Sequence, residues 1–536
     1  MSSRDLGGWW AALAGIVAAG AGLALAELVA AFVDPASSPV LALGGAFIDV
    51  VPPWLKDFAV EWFGTADKAV LLASMGAVLA AGAALAGWLE RRVPPSGAVL
   101  LGAVGLVLAL VAMNRPGATA AWMLPSVIGV GAAVVLLRLL VARVPARRAD
   151  PAAAAPATTA PAATAPAATA PAASPPVPDG AASRRTFLAW SGIAAAGAVV
   201  AVLASRAVSA GSRAVEVVRE AIRLPAPASP APAVPPGADL EVPGAEPYIS
   251  PNDNFYRIDT ALRVPAVDPA EWSLRVTGLV DEPFELTWDE LLELPMTEHH
   301  VTLACVSNPV GGDLIGNALW LGYPIRELLA RARPQADADM VLSTSVDGWT
   351  AGTPLEILTD PDRESLLAIG MNGEPLPEQH GFPARLVVPG LYGYVSATKW
   401  VTELKVTRFA DDEGYWTPRG WSARGPVKLQ SRIDVPRSGS VDAGEVVVAG
   451  VAWAQHIGID AVEVSVDAGP WQPAELAETV GPDTWRQWRY VWDAPAGGHT
   501  IAVRAIGADG QVQTSDEAPP APDGATGWHT VGVSVD

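Results

Sequence analysis

The feature that most constrains this chain is its first 145 residues, where charge is sparse and Ala, Leu, Val and Gly form four long apolar stretches. They run from about Trp9 to Val33, Ala69 to Leu89, Ala98 to Met113 and Ala121 to Val141. A helix needs about 20 mostly apolar residues to cross a bilayer, so residues 1–149 read as an all-α region of four transmembrane helices. The stretch from Val40 to Leu55 contains Asp49, Pro52 and Pro53 and reads as interfacial rather than spanning. Arg91 and Arg92 follow the second span, and Arg138, Arg143, Arg147 and Arg148 close the fourth. Arginine stays on the cytoplasmic side, so both ends of this region are expected there. The loop with Asp34, Asp49, Asp57, Glu61 and Asp67 is expected outside. Glu27 is the one clear carboxylate within a span. It reads either as a proton or quinone site, the default for an ionisable group in a membrane, or as a tolerated position near the outer interface.

Hydrophobic residues make up 51% of the chain and charged ones 17%, yet the net charge is -21, so apolar and acidic residues must be segregated. Most Asp and Glu lie beyond residue 215. That half reads as soluble, and its acidity argues against nucleic acid, which demands clustered Lys and Arg. Residues 150–182 repeat units such as Ala-Pro-Ala-Ala-Thr-Ala and read as a disordered cytoplasmic linker. Ser183-Arg184-Arg185-Thr186-Phe187-Leu188 then leads into an apolar stretch ending near Val208. Paired arginines there resemble a twin-arginine signal, which exports proteins already folded; the plainer reading is two more cytoplasmic charges. Residues 183–210 are expected to form a retained fifth helix, although Val208-Ser209-Ala210 would suit a signal peptidase. Residues 211–246 read as a second Pro/Ala-rich spacer. The soluble half would then face outward from the cell membrane, with membrane lipid among its partners.

From Tyr248 onward the pattern changes to short β-like runs, Gly/Pro turns and a few amphipathic helices. Trp272–Gly278 and Arg385–Val388 read as strands, and Trp288–Leu294 and Ile325–Arg333 as helices. The irregular mixture makes residues 247–425 an α+β domain. After Gly425 strands recur near 446–451, 461–466, 488–492 and 500–505, which predicts an immunoglobulin-like β-sandwich over residues 426–536.

Cys305 is the only cysteine, which excludes an internal disulfide, an iron-sulfur cluster held by four cysteines of this chain and a C-x-x-C-H haem attachment. All six histidines lie at 299 or later, so no paired-histidine haem is expected in the spans. No flavin or b5-type haem signature accompanies the soluble half. Cys305 sits in Leu303-Ala304-Cys305-Val306-Ser307-Asn308, where a β-like run opens into the Gly-rich loop Pro309–Gly316. A lone cysteine is often a small buried hydrophobe, and by itself this one is read either way.

Several ordered segments change that reading. Asn252-Asp253-Asn254-Phe255-Tyr256-Arg257, the Cys305 loop, Gly322 to Leu329, Met371 to Pro377, His380 to Arg385 and Ser396 to Trp400 all resemble the sulfite oxidase family of molybdopterin-dependent oxidoreductases. The resemblance extends from about Pro247 to Asp536 and includes Trp485 to Trp488 and Gly527 to His529. It implies a sulfite-oxidase-like molybdopterin domain, with Cys305 as the protein ligand to molybdenum. It further implies cofactor contacts from Asn254, Tyr256, Arg257, Asp347, His380, Arg385, Ala397, Thr398 and Lys399. Ser345 competes with Asp347, because the alignment slips there. Tyr392 and Tyr394 are candidates to line the substrate pocket and donate to an oxo group, or else are buried tyrosines with satisfied hydroxyls.

The family resemblance implies two-electron oxygen-atom transfer, with electrons exchanged singly with a separate redox protein or quinone, and a homodimer through the sandwich. The chain departs from the family just after the cysteine, where arginines usually form an anion pocket and Asn308 is instead followed by Pro309, Val310, Gly311 and Gly312. A neutral small oxo-compound, such as a sulfoxide or N-oxide, suits this loop better than sulfite. Sulfite oxidation with Arg419 or Arg424 as the cations is the alternative, and a non-enzymatic membrane-anchored binding protein is the rival of another class.

Overall fold

The computed structural model describes residues 6–52, 55, 62–63, 67–115, 118–144, 180–208 and 211–536. The chain forms two compact units, Met1–Ala210 and Gly211–Asp536. Most of the Ala/Pro linker, Arg147, Arg148, Asp57, Glu61 and the Ser209–Ala210 positions lie outside the described residues.

The first unit is helical: α1 (Leu6–Val33), α2 (Pro39–Val50), α3 (Asp67–Arg92), α4 (Ser96–Met113), α5 (Leu124–Val141) and α6 (Gly180–Val208). Small residues let these helices touch through their backbones. A Cβ on Gly15 would overlap the Ala83 carbonyl of α3, and one on Gly22 would lie 2.5 Å from the Gly129 carbonyl of α5. Four helices, Gly7–Val33, Lys68–Arg92, Ser96–Met113 and Ala120–Val141, are long and apolar enough to cross a membrane. With 12 residues, α2 is too short. The expected fifth span is one continuous helix, but its described apolar stretch, Leu188–Val202, is shorter than the other four; the side chains of Arg184 and Arg185 lie outside the described residues.

Glu27 has a structural task here. It accepts a hydrogen bond from Ser38 Oγ at 2.8 Å, and Ser38 Oγ in turn accepts from the Leu41 amide, capping α2. Glu90, which is 5% exposed, caps α4 by accepting from the Ala98 amide at 2.8 Å, with Arg138 Nε at 3.5 Å. Both carboxylates satisfy amides that a helix start leaves without partners.

The second unit begins with α7 (Gly211–Ala221), whose Val215 is buried against Phe255, Val301 and Trp320. Residues 222–246, read from sequence as a spacer, instead lie extended along this unit. The Ala228 amide donates to Met296 O at 2.8 Å, Ser229 bridges Thr297, Ala238 is fully buried, and the Leu240 amide donates to Gln487 Oε1 at 2.6 Å. Proline already restricts the chain to extended forms, so docking such a strap costs little further entropy.

One mixed sheet, one antiparallel sheet and three short helices build the body. One sheet has the order β2 (Phe284–Thr287), β1 (Ser273–Gly278), β10 (Val401–Thr407), β5 (Met340–Ser345) and β6 (Thr350–Pro354). The other has β3 (Thr297–Ala304), β4 (Ile315–Pro324), β7 (Leu366–Met371) and β8 (Glu374–Pro375), with β9 (Arg385–Val387) paired to β7. The helices α8 (Trp288–Leu292), α9 (Ile325–Ala332) and α10 (Leu355–Thr359) follow β2, β4 and β6. Thr287 and Glu290 form a reciprocal capping box at the start of α8. The last five residues of β3 are buried in succession, as in a strand covered on both faces.

The C-terminal strands form a sandwich with its own core. One sheet runs β11 (Gln430–Val435), β13 (Gly444–Trp453), β17 (Arg486–Ala494), β16 (Glu475–Leu476). The other runs β12 (Ser440–Val441), β19 (His529–Val535), β18 (Gly497–Gly507), β14 (Ile459–Val466), β15 (Gln472–Pro473). Val448, Trp488 and Ile433 of the first sheet pack with Val462, Val503 and Ile501 of the second.

Candidate active site

β3 delivers its last residue to a loop that folds back on the strand. The Cys305 amide donates to Leu314 O at 2.9 Å, the Asn308 amide to Cys305 O at 3.1 Å, and the Leu314 amide to Asn308 Oδ1 at 2.9 Å. Cys305 is 9% exposed, and burial pushes its thiol up, against an opposing pull from Ser307. Burial, and next the neighbouring Cys305, raise the Tyr256 hydroxyl, while Arg385 pulls it the other way, so these three side chains share one environment. A Cβ on Gly393 would lie 3.8 Å from Ala304 O and 4.0 Å from Tyr256 Oη, which sets the turn Gly393–Val395 beside the cysteine strand.

The cationic residues gather on the same side. Arg385 is 5% exposed and donates to three carbonyls, His380 O at 3.1 Å, Leu386 O at 3.3 Å and Ala397 O at 3.4 Å, with the Trp320 ring at 5.1 Å. Burial lowers its pKa to about 10. His380, 1% exposed, meets Asn252 O through Nε2 at 3.1 Å. A carbonyl only accepts, so Nε2 carries the proton and Nδ1 remains an acceptor. Burial, and next the Arg385 charge, hold His380 down at about 4, so it is neutral at physiological pH. Lys399 donates to Asp259 Oδ2 at 2.6 Å and Gln379 O at 3.1 Å. Burial brings it down to about 8 although Asp259 supports its charge. Arg257 joins the same carboxylate at 2.9 Å.

Other sequence candidates are placed differently. Thr398 spends its hydroxyl on Ser343 Oγ at 2.7 Å, and the Ala397 amide is spent on Gly393 O at 2.9 Å. Asn254 is exposed. Asp347 closes its own turn by accepting from the Trp349 amide at 3.1 Å, whereas Ser345 Oγ is buried without a hydrogen-bond partner. Of that pair Ser345 is the one with a donor to offer, and it lies directly before Val346, whose amide bonds Trp400 O. Tyr392 is 4% exposed and accepts from the Lys428 amide at 3.3 Å; burial, opposed by that bond, raises it to about 12, with a further push from Cys305. Tyr394 donates to Ser422 O at 2.7 Å, so its hydroxyl proton is already committed. Asp259, the counter-ion shared by Arg257 and Lys399, was not singled out from sequence. Its signal was its place two residues after Arg257 in an otherwise cationic group.

Residues 261–416 match the oxidoreductase molybdopterin binding domain. The chain is 32% identical over 323 residues to the mitochondrial sulfite oxidase of Homo sapiens, covering 51% of this chain and 59% of that protein. It is 30% identical over 284 residues to the sulfite oxidase of Arabidopsis thaliana, covering 44% of this chain and 72% of the relative. It is 34% identical over 158 residues to the uncharacterized oxidoreductase YuiH of Bacillus subtilis (strain 168), covering 30% of this chain and 76% of the relative.

The chain belongs to the sulfite oxidase family. Residues 261–416 are a molybdopterin-binding domain, so its cofactor is molybdenum-molybdopterin. The chain spans 59% of the length of the human relative. The residues present fit the family's cofactor on two counts. Among the described residues, Asp259 is the only carboxylate in ion-pair contact with Arg257, Arg385 or Lys399. Three cations against one carboxylate leave a buried excess of positive charge that a phosphate would neutralise. Cys305 supplies one soft sulfur donor and belongs to no group of three or more His, Cys, Asp or Glu among the described residues, as suits a metal otherwise held by a dithiolene.

Proposed function

We propose that this protein is a membrane-anchored, outward-facing oxidoreductase that moves an oxygen atom to or from a small neutral oxo-compound such as a sulfoxide or N-oxide. The observation that carries the choice of substrate is the loop after Cys305. It contains no arginine; its one ionisable side chain is the acidic Asp313, and Asn308 Oδ1 accepts from the Leu314 amide. Arg419 lies 3.7 Å over the Tyr415 ring, and Arg424 lies 5.1 Å from the Phe409 ring. The cations nearest the thiol, Arg385 and Arg432, are turned to backbone carbonyls and, in this reading, Arg385 serves the cofactor, so the loop itself offers a dianion no cation.

In this reading Cys305 would ligate molybdenum, losing its proton on coordination. Arg257, Arg385 and Lys399 would hold the pterin phosphate, and His380 Nδ1 and Ser345 Oγ would meet its polar edge. The cofactor supplies the two-electron oxygen-atom chemistry. The chain's residues bind it, orient it through the strand-end thiol and keep water out with the Phe255, Trp320 and Tyr392 rings. Tyr392, whose oxygen accepts from Lys428, keeps its own proton available to donate toward the site, a task Tyr394 does not share. The four apolar helices and the helix Gly180–Val208 would anchor the enzyme, the arginine pair before Phe187 would direct export, and the C-terminal sandwich, of immunoglobulin-like type, would pair two copies. Electrons would pass to a separate redox protein or quinone.

A second reading, sulfite as the donor, is favoured by the names of the relatives and by Arg424 and Lys428. These line a cavity of about 460 Å³, and the Lys428 amide bonds the Tyr392 hydroxyl. Steady-state assays of the full-length detergent-solubilised protein with methionine sulfoxide and with sulfite separate the two. Sulfite turnover exceeding sulfoxide turnover defeats the neutral-substrate reading. Cys305→Ser should abolish activity and molybdenum retention while leaving the fold intact, because the substitution is nearly isosteric.

A further inference from the structure

The loop that carries Cys305 does not hold its shape alone. Its base is closed by its own hydrogen bonds, but its tip, Val310–Gly312, rests on the sandwich. Arg432 of β11 donates through Nη1 to Gly312 O at 2.9 Å. Its side chain is 1% exposed, and Nε is held by Asp434 Oδ1 at 2.6 Å, itself 1% exposed. Nη2 has no hydrogen-bond partner, and the next carboxylate, Glu246, stands 3.8 Å away. An ion pair buried this deeply is poor value for stability alone, and one arm of this one is spent on a loop carbonyl of the other domain.

His529 of β19 supports the next residue of the tip. The Ile433 amide donates to its Nδ1 at 2.9 Å, so the ring is neutral with its proton on Nε2. Burial, and next the charges of Arg432 and Arg437, hold it down at about 4. The ring edge with Cδ2 and Nε2 lies so close under Gly311 that a Cβ there would overlap it. Gly311 has φ +75°, a conformation that already favours glycine. Beyond it, a Cβ on Gly527 would lie 3.7 Å from Val310 Cγ2.

We propose that Arg432 and His529 are positioning residues for the Cys305 loop, so that the sandwich sets the placement of the thiol and is part of the catalytic unit. The transmission is short. The tip fixes Gly311 and Gly312, the Gly312 amide bonds Pro309 O, Asn308 pins Leu314, and Leu314 O holds the Cys305 amide. The proposal uses the reading of Cys305 as the metal ligand only for its catalytic consequence; the clamp itself is a statement about the protein without cofactor.

The test therefore starts with full-length, cofactor-free protein in detergent, measuring the rate at which iodoacetamide alkylates Cys305 and the hydrogen exchange of residues 306–314. Arg432→Gln removes the charged donor. His529→Asn keeps an acceptor for the Ile433 amide and removes the ring under Gly311. Both are expected to raise alkylation at least tenfold and to speed exchange in the loop, with the exchange of β13 and β18 unchanged. Arg432→Lys, which can still reach Asp434 or Gly312 O, is expected to recover most of the protection. In loaded enzyme both variants should lower kcat more than KM and alter the EPR signature of the metal. If Arg432→Gln and His529→Asn, with β13 and β18 protected as in the wild type, alkylate within twofold of it, the clamp is refuted. Loss of protection throughout the sandwich in both variants, without recovery in Arg432→Lys, also refutes it in favour of a general stabilising role. Cofactor-competent wild-type protein that lacks molybdenum but shows the tenfold change keeps the clamp and overturns the proposed function instead.

Discussion

Arg385 offers the sharpest test of the cofactor pocket, because the protein without cofactor holds its guanidinium at a cost. It is 5% exposed, hydrogen-bonds only to carbonyls among the described residues, and is lowered by burial from 12.5 to about 10. At about 1.4 kcal/mol per pKa unit, keeping that charge buried costs about 3 kcal/mol. Arg385→Met removes the cost and strands three carbonyls, at about 1 kcal/mol each. The two terms nearly cancel, so cofactor-free Arg385→Met is expected to match the wild type within about 1 kcal/mol. Breaking a buried ion pair would instead cost about 3–5 kcal/mol. With the cofactor bound, the guanidinium would make charge-assisted bonds worth about 1.5–3 kcal/mol each. Losing two of these weakens retention by at least about a hundredfold. Urea unfolding of protein expressed without molybdate measures the first quantity, and molybdenum per chain after cofactor-competent expression measures the second. Destabilisation of the cofactor-free variant by more than about 3 kcal/mol, or wild-type molybdenum content in the loaded one, refutes the assignment.

Asp483 gives a pH prediction. Burial acts to raise it, but hydrogen bonds from His299 at 2.8 Å and His456 at 3.1 Å outweigh that and bring it from 3.8 to about 2. A depressed carboxylate stabilises above its unfolded pKa and loses that contribution as pH falls through the folded value. The stability gap between wild type and Asp483→Asn, about 2 kcal/mol from the size of the shift, should therefore close between pH 4 and pH 2 in urea titrations; a gap constant over that range contradicts the account. Gly450→Ala would drive a Cβ into the Arg432 carbonyl. It is expected to destabilise by about 1–3 kcal/mol, the usual cost of overpacking, and to raise Cys305 alkylation, whereas Gly498→Ser, where a Cβ meets open space, should leave alkylation unchanged.

Much of the architecture was legible because it rests on local patterns. Bilayer length selects the four apolar helices, period and breakers locate β1, α9 and the sandwich strands, and a single cysteine limits the metal chemistry. The ordered segments from Asn252 to Trp400 carried the family resemblance because their order along the chain is far more specific than any one of them. Composition reads residues 211–246 as a spacer because Pro and Ala give the same signal whether the chain is free or docked. Only the partner surface, Met296, Thr297 and Gln487, distinguishes the cases.

The sequence offered Cys305, His380, Arg385 and Lys399 as candidates through their residue types and the family resemblance of the segments that carry them. What each side chain does was decided by tertiary contacts, because hydrogen bonds consume donors and burial moves charges. Tyr394 is committed to Ser422 while Tyr392 is not, Asp347 is spent on its own turn while Ser345 Oγ is left without a partner, and Glu27 caps a helix. The support of the cysteine loop by Arg432 and His529, both far along the chain from it, follows from sheet packing, which brings β11 and β19 under Gly311 and Gly312.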